Sequence, residues 1–120
     1  MADYLPKFAP GDAVTFTASA AVVGGRAVEV SGDRTVAPGT AASTKAIGIA
    51  ARDAAINERV VVYLFTGAVH RAPAAAAVVA GAHVESAAAG KVQTRTTGTD
   101  IGVALTAATD ADDIIEFVKI

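Results

Sequence analysis

The feature that most constrains the fold of this 120-residue chain is an internal repeat. Residues 47–64 contain a short apolar run, a polar turn and a longer run of Val, Tyr and Leu. Apolar, β-branched runs separated by turn residues are typical of two strands joined by a turn. The pattern returns in residues 101–118, and the two segments align without a gap at an offset of 54 residues. The chain is therefore predicted to carry the same strand-turn-strand unit twice.

A second match lies upstream of the first. Residues 20–29 match residues 76–85 at an offset of 56, so an insertion of two residues separates the matching blocks. Two copies of one β unit are too few for a solenoid. The repeat instead predicts one closed or nearly closed β domain with internal pseudo-two-fold duplication, its halves covering about residues 13–64 and 69–118.

Short runs rich in Val, Ile, Thr and Phe, bounded by Gly and Asp, predict ten strands. Two lie within residues 47–64, and the others lie at residues 13–17, 27–30, 35–36, 67–71, 82–85, 91–95, 101–106 and 113–119. Residues 74–80 are rich in alanine, but their repeat partner contains Gly24 and Gly25, so we predict a turn with at most one or two helical turns. Many short strands indicate an all-β fold, either a small β-barrel or a β-sandwich.

The first residues, 1–11, are predicted to form an extended arm, with residues 12–120 as a single β domain. Pro6 and Pro10 lack a backbone N–H and interrupt regular pairing. The large apolar side chains of the arm are Tyr4, Leu5 and Phe8. Such a segment is either a frayed terminus or lies against a partner. Three apolar side chains within so short a stretch favour a partner, so these three are predicted partner-binding residues.

Both faces of the predicted strand at residues 60–65 are apolar. Because side chains alternate along a strand, one face carries Val60, Val62 and Leu64, and the other carries Val61, Tyr63 and Phe65. Each apolar face of a strand must be buried against other residues, and the core of the domain can bury only one of the two. A core rich in alanine buries little apolar surface, since each buried CH₂ contributes only about 0.8 kcal/mol. We therefore expect an oligomer, with Val61, Tyr63 and Phe65 as partner-binding residues.

The composition argues against several classes of partner. The formal net charge is −2 and the basic residues are scattered, so the sequence shows no basic stripe for nucleic acid. The absence of cysteine excludes a disulfide scaffold and cysteine-based metal sites. The longest run of small apolar residues, 74–82, is far shorter than the roughly 20 residues of a membrane-spanning helix. The N-terminus lacks the pattern of a signal peptide. We expect neither a nucleic-acid partner nor a membrane partner.

The sequence contains no recognisable catalytic motif. A phosphate-binding loop motif is absent, and His70 and His83 have no second His or Cys at the spacing of zinc ligands. They are predicted to lie at the surface or at strand edges. For an enzyme built on a small trimeric β fold, the candidate carboxylates are Asp53, Asp100 and Asp110, none of which lies in a known motif. The expectation is a protein that is not an enzyme and needs neither cofactor nor metal.

Several segments together resemble the small capsid cement, or head decoration, proteins of tailed phages. These segments are residues 4–18, 22–30, 32–38, 47–50 and 101–105. The resemblance covers nearly the whole chain and rests on pattern and spacing, because the family has no catalytic motif. It implies a β-rich domain that binds the outer surface of the phage head and stabilises the shell against internal DNA pressure.

The resemblance also implies partners and a location. The main partner would be the major capsid protein, and the protein would also bind itself, as a trimer at local three-fold axes. It would be made in the cytoplasm of the bacterial host and end on the outer surface of the virion capsid. Two alternatives stay open: another virion component, such as a tail or ring-forming protein, and a small trimeric β-fold module that binds a ligand or acts as an enzyme.

Overall fold

The computed structural model describes residues 13–120, and this part of the chain is all-β. It contains ten strands and one short 3-10 turn at Ala88–Gly90. The strands are β1 Ala13–Ala18, β2 Ala27–Gly32, β3 Thr35–Pro38, β4 Ala46–Ala50, β5 Arg59–Leu64, β6 Val69–Pro73, β7 His83–Ser86, β8 Val92–Thr94, β9 Gly102–Ala104 and β10 Ile114–Val118. The predicted all-β fold is confirmed, and the predicted strands are present near their expected positions.

The first five strands close into a small barrel in the order β1-β3-β2-β4-β5. All neighbours are antiparallel except β1 and β3, which run parallel and close the barrel. The ladder between β1 and β5 runs from Ala13 opposite Tyr63 to Thr17 opposite Arg59. Inward-pointing small and β-branched side chains fill the barrel, mainly Ala18, Val22, Val28, Val36, Ala50, Ala54, Val60 and Val62. Such side chains suit the narrow interior of a five-stranded barrel.

The second five strands repeat the connectivity of the first. Their order is β6-β10-β9-β7-β8, and each antiparallel pair has a counterpart in the first barrel. A single parallel bridge from Ala74 to Val92 stands where β1 and β3 pair in the first half. Isolated antiparallel bridges also recur, from Val22 to Ala54 and from Val78 to Ala108. The predicted internal duplication is therefore confirmed.

One part of the sequence alignment of the repeat is wrong. Val62 lies opposite Ala50 in the first half, and Phe117 lies opposite Ala104 in the second. Residues on β5 and β10 therefore correspond at an offset of 55, whereas β4 and β9 correspond at 54. Because side chains alternate along a strand, a shift of one residue exchanges its buried and exposed faces. The gapless alignment pairs buried residues of one copy with exposed residues of the other.

The extra residue lies in the turn that precedes β10. Asn57 ends the corresponding turn of the first half with a φ of 72°, and Asp112 does so in the second with a φ of 71°. Asn and Asp tolerate this left-handed conformation better than most residues. With the turn corrected, the buried Val60 corresponds to the buried Ile115. The buried Val62 likewise corresponds to Phe117.

Two strands of the first barrel are buried on both faces. Val28 and Ala50 point into the barrel, whereas Ala27 and Ile49 point outward into the core of the second half. That core also contains Phe65, Val84, Val92, Ile101, Ala104, Ile115 and Phe117. The second half therefore covers the outer face of β2 and β4. The sequence predicted a double cover at residues 60–65, but within the chain the doubly covered strands are β2 and β4.

The glycine that recurs in both copies of the repeat has a packing reason. A Cβ added to Gly48 would lie 2.3 Å from the carbonyl oxygen of Tyr63. A Cβ added to Gly102 would lie 2.9 Å from the carbonyl oxygen of Val118. Each glycine allows its strand to approach the last strand of its half more closely than any residue with a side chain could. This contact explains why an apolar-Gly-apolar sequence starts both copies.

Candidate partner-binding surfaces

Two predicted partner-binding residues share an outer face of the first barrel. Val61 and Tyr63 point away from the barrel core and lie opposite Thr15 and Ala13 on β1. Val61 is half-buried, and Tyr63 is 49% exposed. An exposed aromatic beside a branched aliphatic is the kind of surface that interfaces favour. The face is a candidate contact, and its role in binding a partner stays a prediction.

Phe65 does not belong to that face. It is only 5% exposed, and its ring packs against those of His70 and Phe117 at centroid distances of 5.7 and 6.0 Å. Strand β5 ends at Leu64, so the alternation of faces does not continue to the next residue. His70 is also buried, with Nε2 2.9 Å from the Leu64 carbonyl oxygen. Phe65 is a core residue, and grouping it with exposed partner-binding side chains is wrong for the chain as it folds here.

The predicted arm falls outside the part of the chain that the structure describes. Tyr4, Leu5 and Phe8 all precede residue 13. The described chain begins at Ala13, which lies opposite Tyr63 on the outer face of the barrel. The role of these three side chains in binding a partner therefore stays a prediction.

The candidate catalytic carboxylates lie in separate turns. Asp53 accepts a hydrogen bond from the Gly24 N–H at 2.8 Å, and Asp100 lies 2.5 Å from Nδ1 of the exposed His83. Asp110 lies in the turn before β10. Within residues 13–120 there is no group of three or more His, Cys, Asp or Glu side chains that could hold a metal ion. In the same range, no helix has the length and apolar character needed to cross a membrane.

The structure contains a repeated polar site that sequence reasoning did not identify. Glu29 accepts hydrogen bonds from the N–H and hydroxyl of Thr40 at 3.0 and 2.8 Å. Glu85 accepts the same two bonds from Thr96, each at 3.0 Å. Each threonine follows its glutamate by 11 residues and lies in the loop between the third and fourth strands of its half. The match between Glu29 and Glu85 in the repeat was the available signal.

Glu85 is the more deeply buried of the two glutamates. It has no exposed surface, and it also accepts hydrogen bonds from the Gln93 side chain at 2.5 Å and the Gly98 N–H at 2.7 Å. Burial raises the pKa of Glu85, but hydrogen bonds from Gln93, Thr96 and Gly98 outweigh it and lower the pKa to about 2. The carboxylate is thus a fixed, charged acceptor that holds the loop, not a group poised to exchange a proton.

Glu29 shows the same balance of effects in the first half. Burial raises its pKa, and hydrogen bonds from Thr40 and Ser43 lower it below the ordinary value. The two loops held in this way meet each other. The Thr99 N–H donates to the Ser43 carbonyl at 3.1 Å. The repeated glutamates therefore help to set the junction between the two halves.

The first barrel is closed by contacts between β1 and the turn before β3. The Thr17 N–H donates to the Arg34 carbonyl at 3.0 Å. The Arg34 guanidinium donates to the Thr15 carbonyl at 2.9 Å and lies 5.2 Å from the centre of the Phe16 ring. These contacts satisfy the backbone edge of β1 where the parallel pairing with β3 is short. The first half therefore has no open seam at this position.

The second half has replaced all three residues that form this closure. At an offset of 56, Thr15, Thr17 and Arg34 correspond to Arg71, Pro73 and Gly90. Proline has no N–H to donate, and glycine has no guanidinium to cover the neighbouring carbonyl. The parallel bridge from Ala74 to Val92 is what remains of the pairing. The second half is therefore an open version of the first barrel, with its seam between β6 and β8.

A cleft of about 710 Å³ lies at this seam. We call it the seam cleft. The residues that line it include Val23, Arg26, Arg71, Lys91, Asp112 and Ile114. Val23 and Ile114 are 48% and 59% exposed. Lys91 forms an ion pair with Asp112 at 2.6 Å. The hydrogen bond from Lys91 and its positive charge lower the pKa of Asp112. Arg26 and Arg71 leave the cleft with an excess of positive charge.

A second, smaller cleft is lined by residues from both halves of the chain. It has a volume of about 300 Å³ and is mainly apolar, with Ile47, Leu64, Phe65 and Ile101 among its lining residues. We call it the apolar cleft. Leu64 directly follows Tyr63, the partner of Ala13 in the ladder. The apolar cleft therefore lies close to the point where the described chain begins.

Comparisons with known proteins point to one class of protein. The family described as phage cement protein matches residues 8–120 of this chain. A search of curated proteins found no match. The fold is similar to that in the crystal structure of the head fiber gp8.5 N base in bacteriophage phi29, with a TM-score of 0.70 and 19% sequence identity. The similarity covers 91% of this chain and 93% of that chain, and at this identity it shows a shared fold.

Proposed function

Because this chain belongs to the phage cement protein family, which matches residues 8–120, we propose that it binds the outer surface of the phage head and stabilises the shell against the pressure of the packaged DNA. Family membership itself makes the chain a structural, non-enzymatic protein of the phage virion, located at the capsid. The match over nearly the whole chain is the observation that carries the proposal. The major capsid protein is the proposed partner.

The geometry of the chain supports a binding role. Two of the carboxylates considered for catalysis, Asp53 and Asp100, bind a backbone N–H and a neighbouring side chain, and the two buried glutamates hold loops. Apolar side chains with exposed surface, in contrast, lie together at two places: Val61 and Tyr63 on the outer face of β5, and Val23 and Ile114 in the seam cleft. Exposed apolar patches on a folded protein often mark contact surfaces.

The proposal includes self-association, most simply as a trimer on the shell. The outer face of Val61 and Tyr63 is the proposed contact between copies, because a β-branched and an aromatic side chain lie there side by side. Val61→Asp and Tyr63→Asp should weaken or dissociate the oligomer by burying a charge in the contact. Val79→Asp is the matched control, because Val79 is 74% exposed and lies in the second half. Light scattering with unchanged assembly in both face variants would remove this contact from the proposal.

The direct test uses phage shells that lack this protein. The purified protein is mixed with expanded shells, the shells are sedimented, and the retained protein is measured. Saturable retention, together with increased resistance of DNA-filled heads to heating or osmotic shock, is the expected result. Retention without any gain in resistance would leave a shell-binding protein that does not cement the shell.

Two other outcomes correspond to the alternative functions. Self-assembly into rings or tubes without retention on shells would indicate a tail or ring-forming component. Specific binding of a small molecule by a trimer, again without retention on shells, would indicate a ligand-binding module. Either outcome would overturn the decoration function while leaving the family and the fold unchanged.

A further inference from the structure

We propose that the seam cleft is a docking groove for an extended, acidic segment of the phage shell protein, which binds by adding a strand to the edge of β6 that no strand within residues 13–120 pairs with. This inference rests on the proposed function, because it names the surface that contacts the shell and the chemistry of the segment that the surface accepts.

The edge of β6 is open because the residues that close the first barrel are replaced in the second half. In the first barrel, Thr15 and Thr17 direct backbone groups toward β3, where Arg34 bonds both of them. Backbone groups alternate in direction along a strand, so the corresponding residue Arg71 directs its N–H and carbonyl toward the seam cleft. Pro73 and Gly90 cannot provide the closing contacts. An edge of this kind accepts an added strand in β-augmentation, where main-chain hydrogen bonds provide the binding energy.

The charge of the groove selects the kind of segment. Arg26, Arg71 and Lys91 line the seam cleft, and Asp112 neutralises only one of them. Among residues 13–120, no acidic side chain forms an ion pair with Arg71 within 4.0 Å, although Glu116 lies opposite it across the ladder with β10. Charge complementarity steers association and disfavours wrong partners. The occupant is therefore a segment that carries carboxylates.

The apolar part of the groove completes the description of the segment. Val23 and Ile114 each remain about half exposed, although they line a concave surface. The volume of about 710 Å³ lies in the range of roughly 300–1,000 Å³ that is usual for binding pockets. Side chains alternate along an added strand, so a segment that alternates acidic and apolar residues would meet both kinds of lining.

Arg71→Glu tests the groove, with Arg59→Glu as its matched control. Both arginines are exposed strand residues, and Arg59 lies on β5 of the closed barrel. Retention on shells that lack the protein is measured by sedimentation at several salt concentrations. Arg71→Glu should weaken retention by about tenfold or more, because like charges would then meet in the groove, whereas Arg59→Glu should bind as the wild type does. Circular dichroism and thermal unfolding confirm that both variants are folded.

A photocrosslinking amino acid at the position of Val23 identifies the occupant directly. The expected product links this position to a shell-protein peptide that contains Asp or Glu. A crosslink to a second copy of this chain, or to its own arm, would overturn the proposal and assign the groove to self-association. Equal retention of the wild-type protein and Arg71→Glu in the sedimentation experiment would overturn the docking groove while leaving shell binding intact. A wild type that shells do not retain would instead remove the proposed function, and the groove with it.

Discussion

At the scale of single residues, Glu85 shows how a buried charge can support a loop. Its two carboxylate oxygens accept four hydrogen bonds, so the charge that burial disfavours is fully solvated by the protein. Glu29 accepts hydrogen bonds from Thr40 and Ser43 and remains slightly exposed. The two glutamates occupy equivalent positions, so they form a natural pair for comparison.

Glu85→Gln should destabilise the protein by about 1.5–3 kcal/mol, the usual contribution of hydrogen bonds to a charged group. The amide that replaces one carboxylate oxygen is a donor, and it would face donors from Gln93 or Thr96. Glu29→Gln is the matched control and should cost less, because its site is less buried. The free energy of unfolding in denaturant measures both effects. Equal losses in the two variants would contradict the greater structural role of Glu85.

Glu85 also gives the stability a predictable dependence on pH. Its pKa is about 2 in the folded state and 4.5 when unperturbed. A lowered pKa stabilises the folded state fully above about pH 4.5, and this stabilisation is lost as the pH falls from 4.5 to about 2. Denaturation midpoints measured between pH 7 and pH 2 should decrease over that interval. Glu85→Gln should flatten the decrease, and an unchanged slope would assign the acid sensitivity to other groups.

Burial of individual residues was only partly predictable. The alternation along β5 correctly separated the inward Val60 and Val62 from the outward Val61 and Tyr63. It failed at Phe65, because the strand ends one residue earlier and the chain turns into the second half. Alternation is a rule for one strand, and the sequence does not mark where a strand of apolar residues stops.

At the scale of structural elements, the contacts that close the first barrel can be tested in isolation. Thr17→Pro removes the N–H that donates to Arg34 and so reproduces the residue found at the equivalent Pro73. It should destabilise the protein by about 1 kcal/mol or more, because the hydrogen bond to the Arg34 carbonyl is lost and proline fits poorly within a paired strand.

Thr17→Ala is the control for that change, because it keeps the N–H while removing the side chain. Chemical denaturation compares the two variants. Pro73→Ala supplies the missing N–H to the second half, and it should change the stability less than Thr17→Pro does. If Thr17→Ala costs as much as Thr17→Pro, the side chain rather than the backbone bond closes the barrel.

The positions of the strands are largely predictable from the sequence, whereas the register between them is not. Short β-branched runs between turn residues located all ten strands of residues 13–120. The extra residue before Asp112 was invisible, because adjacent apolar residues at 114 and 115 allow two alignments of β10 on β5. A turn one residue longer changes the register without changing the pattern of apolar residues.

At the scale of the whole molecule, the second half serves as the cover that one barrel face requires. Ala27 and Ile49 project from the first barrel into the core of the second half. The sequence indicated that some strand needed two covers, and it suggested an oligomer as the second one. It could not show that the duplicate copy in the same chain provides this cover for β2 and β4, since packing between distant segments leaves no periodic signal.

We expect residues 1–11 to bind a partner through the side chains of Tyr4, Leu5 and Phe8. Changing these three side chains to Ser keeps the length of the arm and removes its apolar surface, while Lys7→Ser is the control within the same segment. Burial of each large apolar side chain contributes roughly 1.5–3 kcal/mol. Several copies acting together on a shell would multiply the effect. Retention on shells should therefore fall by at least about tenfold.

Thermal unfolding of the same triple variant decides where these side chains bind. The described chain begins at Ala13, close to the apolar cleft lined by Leu64 and Ile101. If the arm occupies this cleft in its own chain, the triple variant should lose thermal stability even without shells. If the arm binds the shell or a neighbouring copy, retention should fall while the unfolding temperature of the isolated protein stays unchanged. Unchanged retention and unchanged stability would contradict both sites and leave shell binding to the folded β region alone.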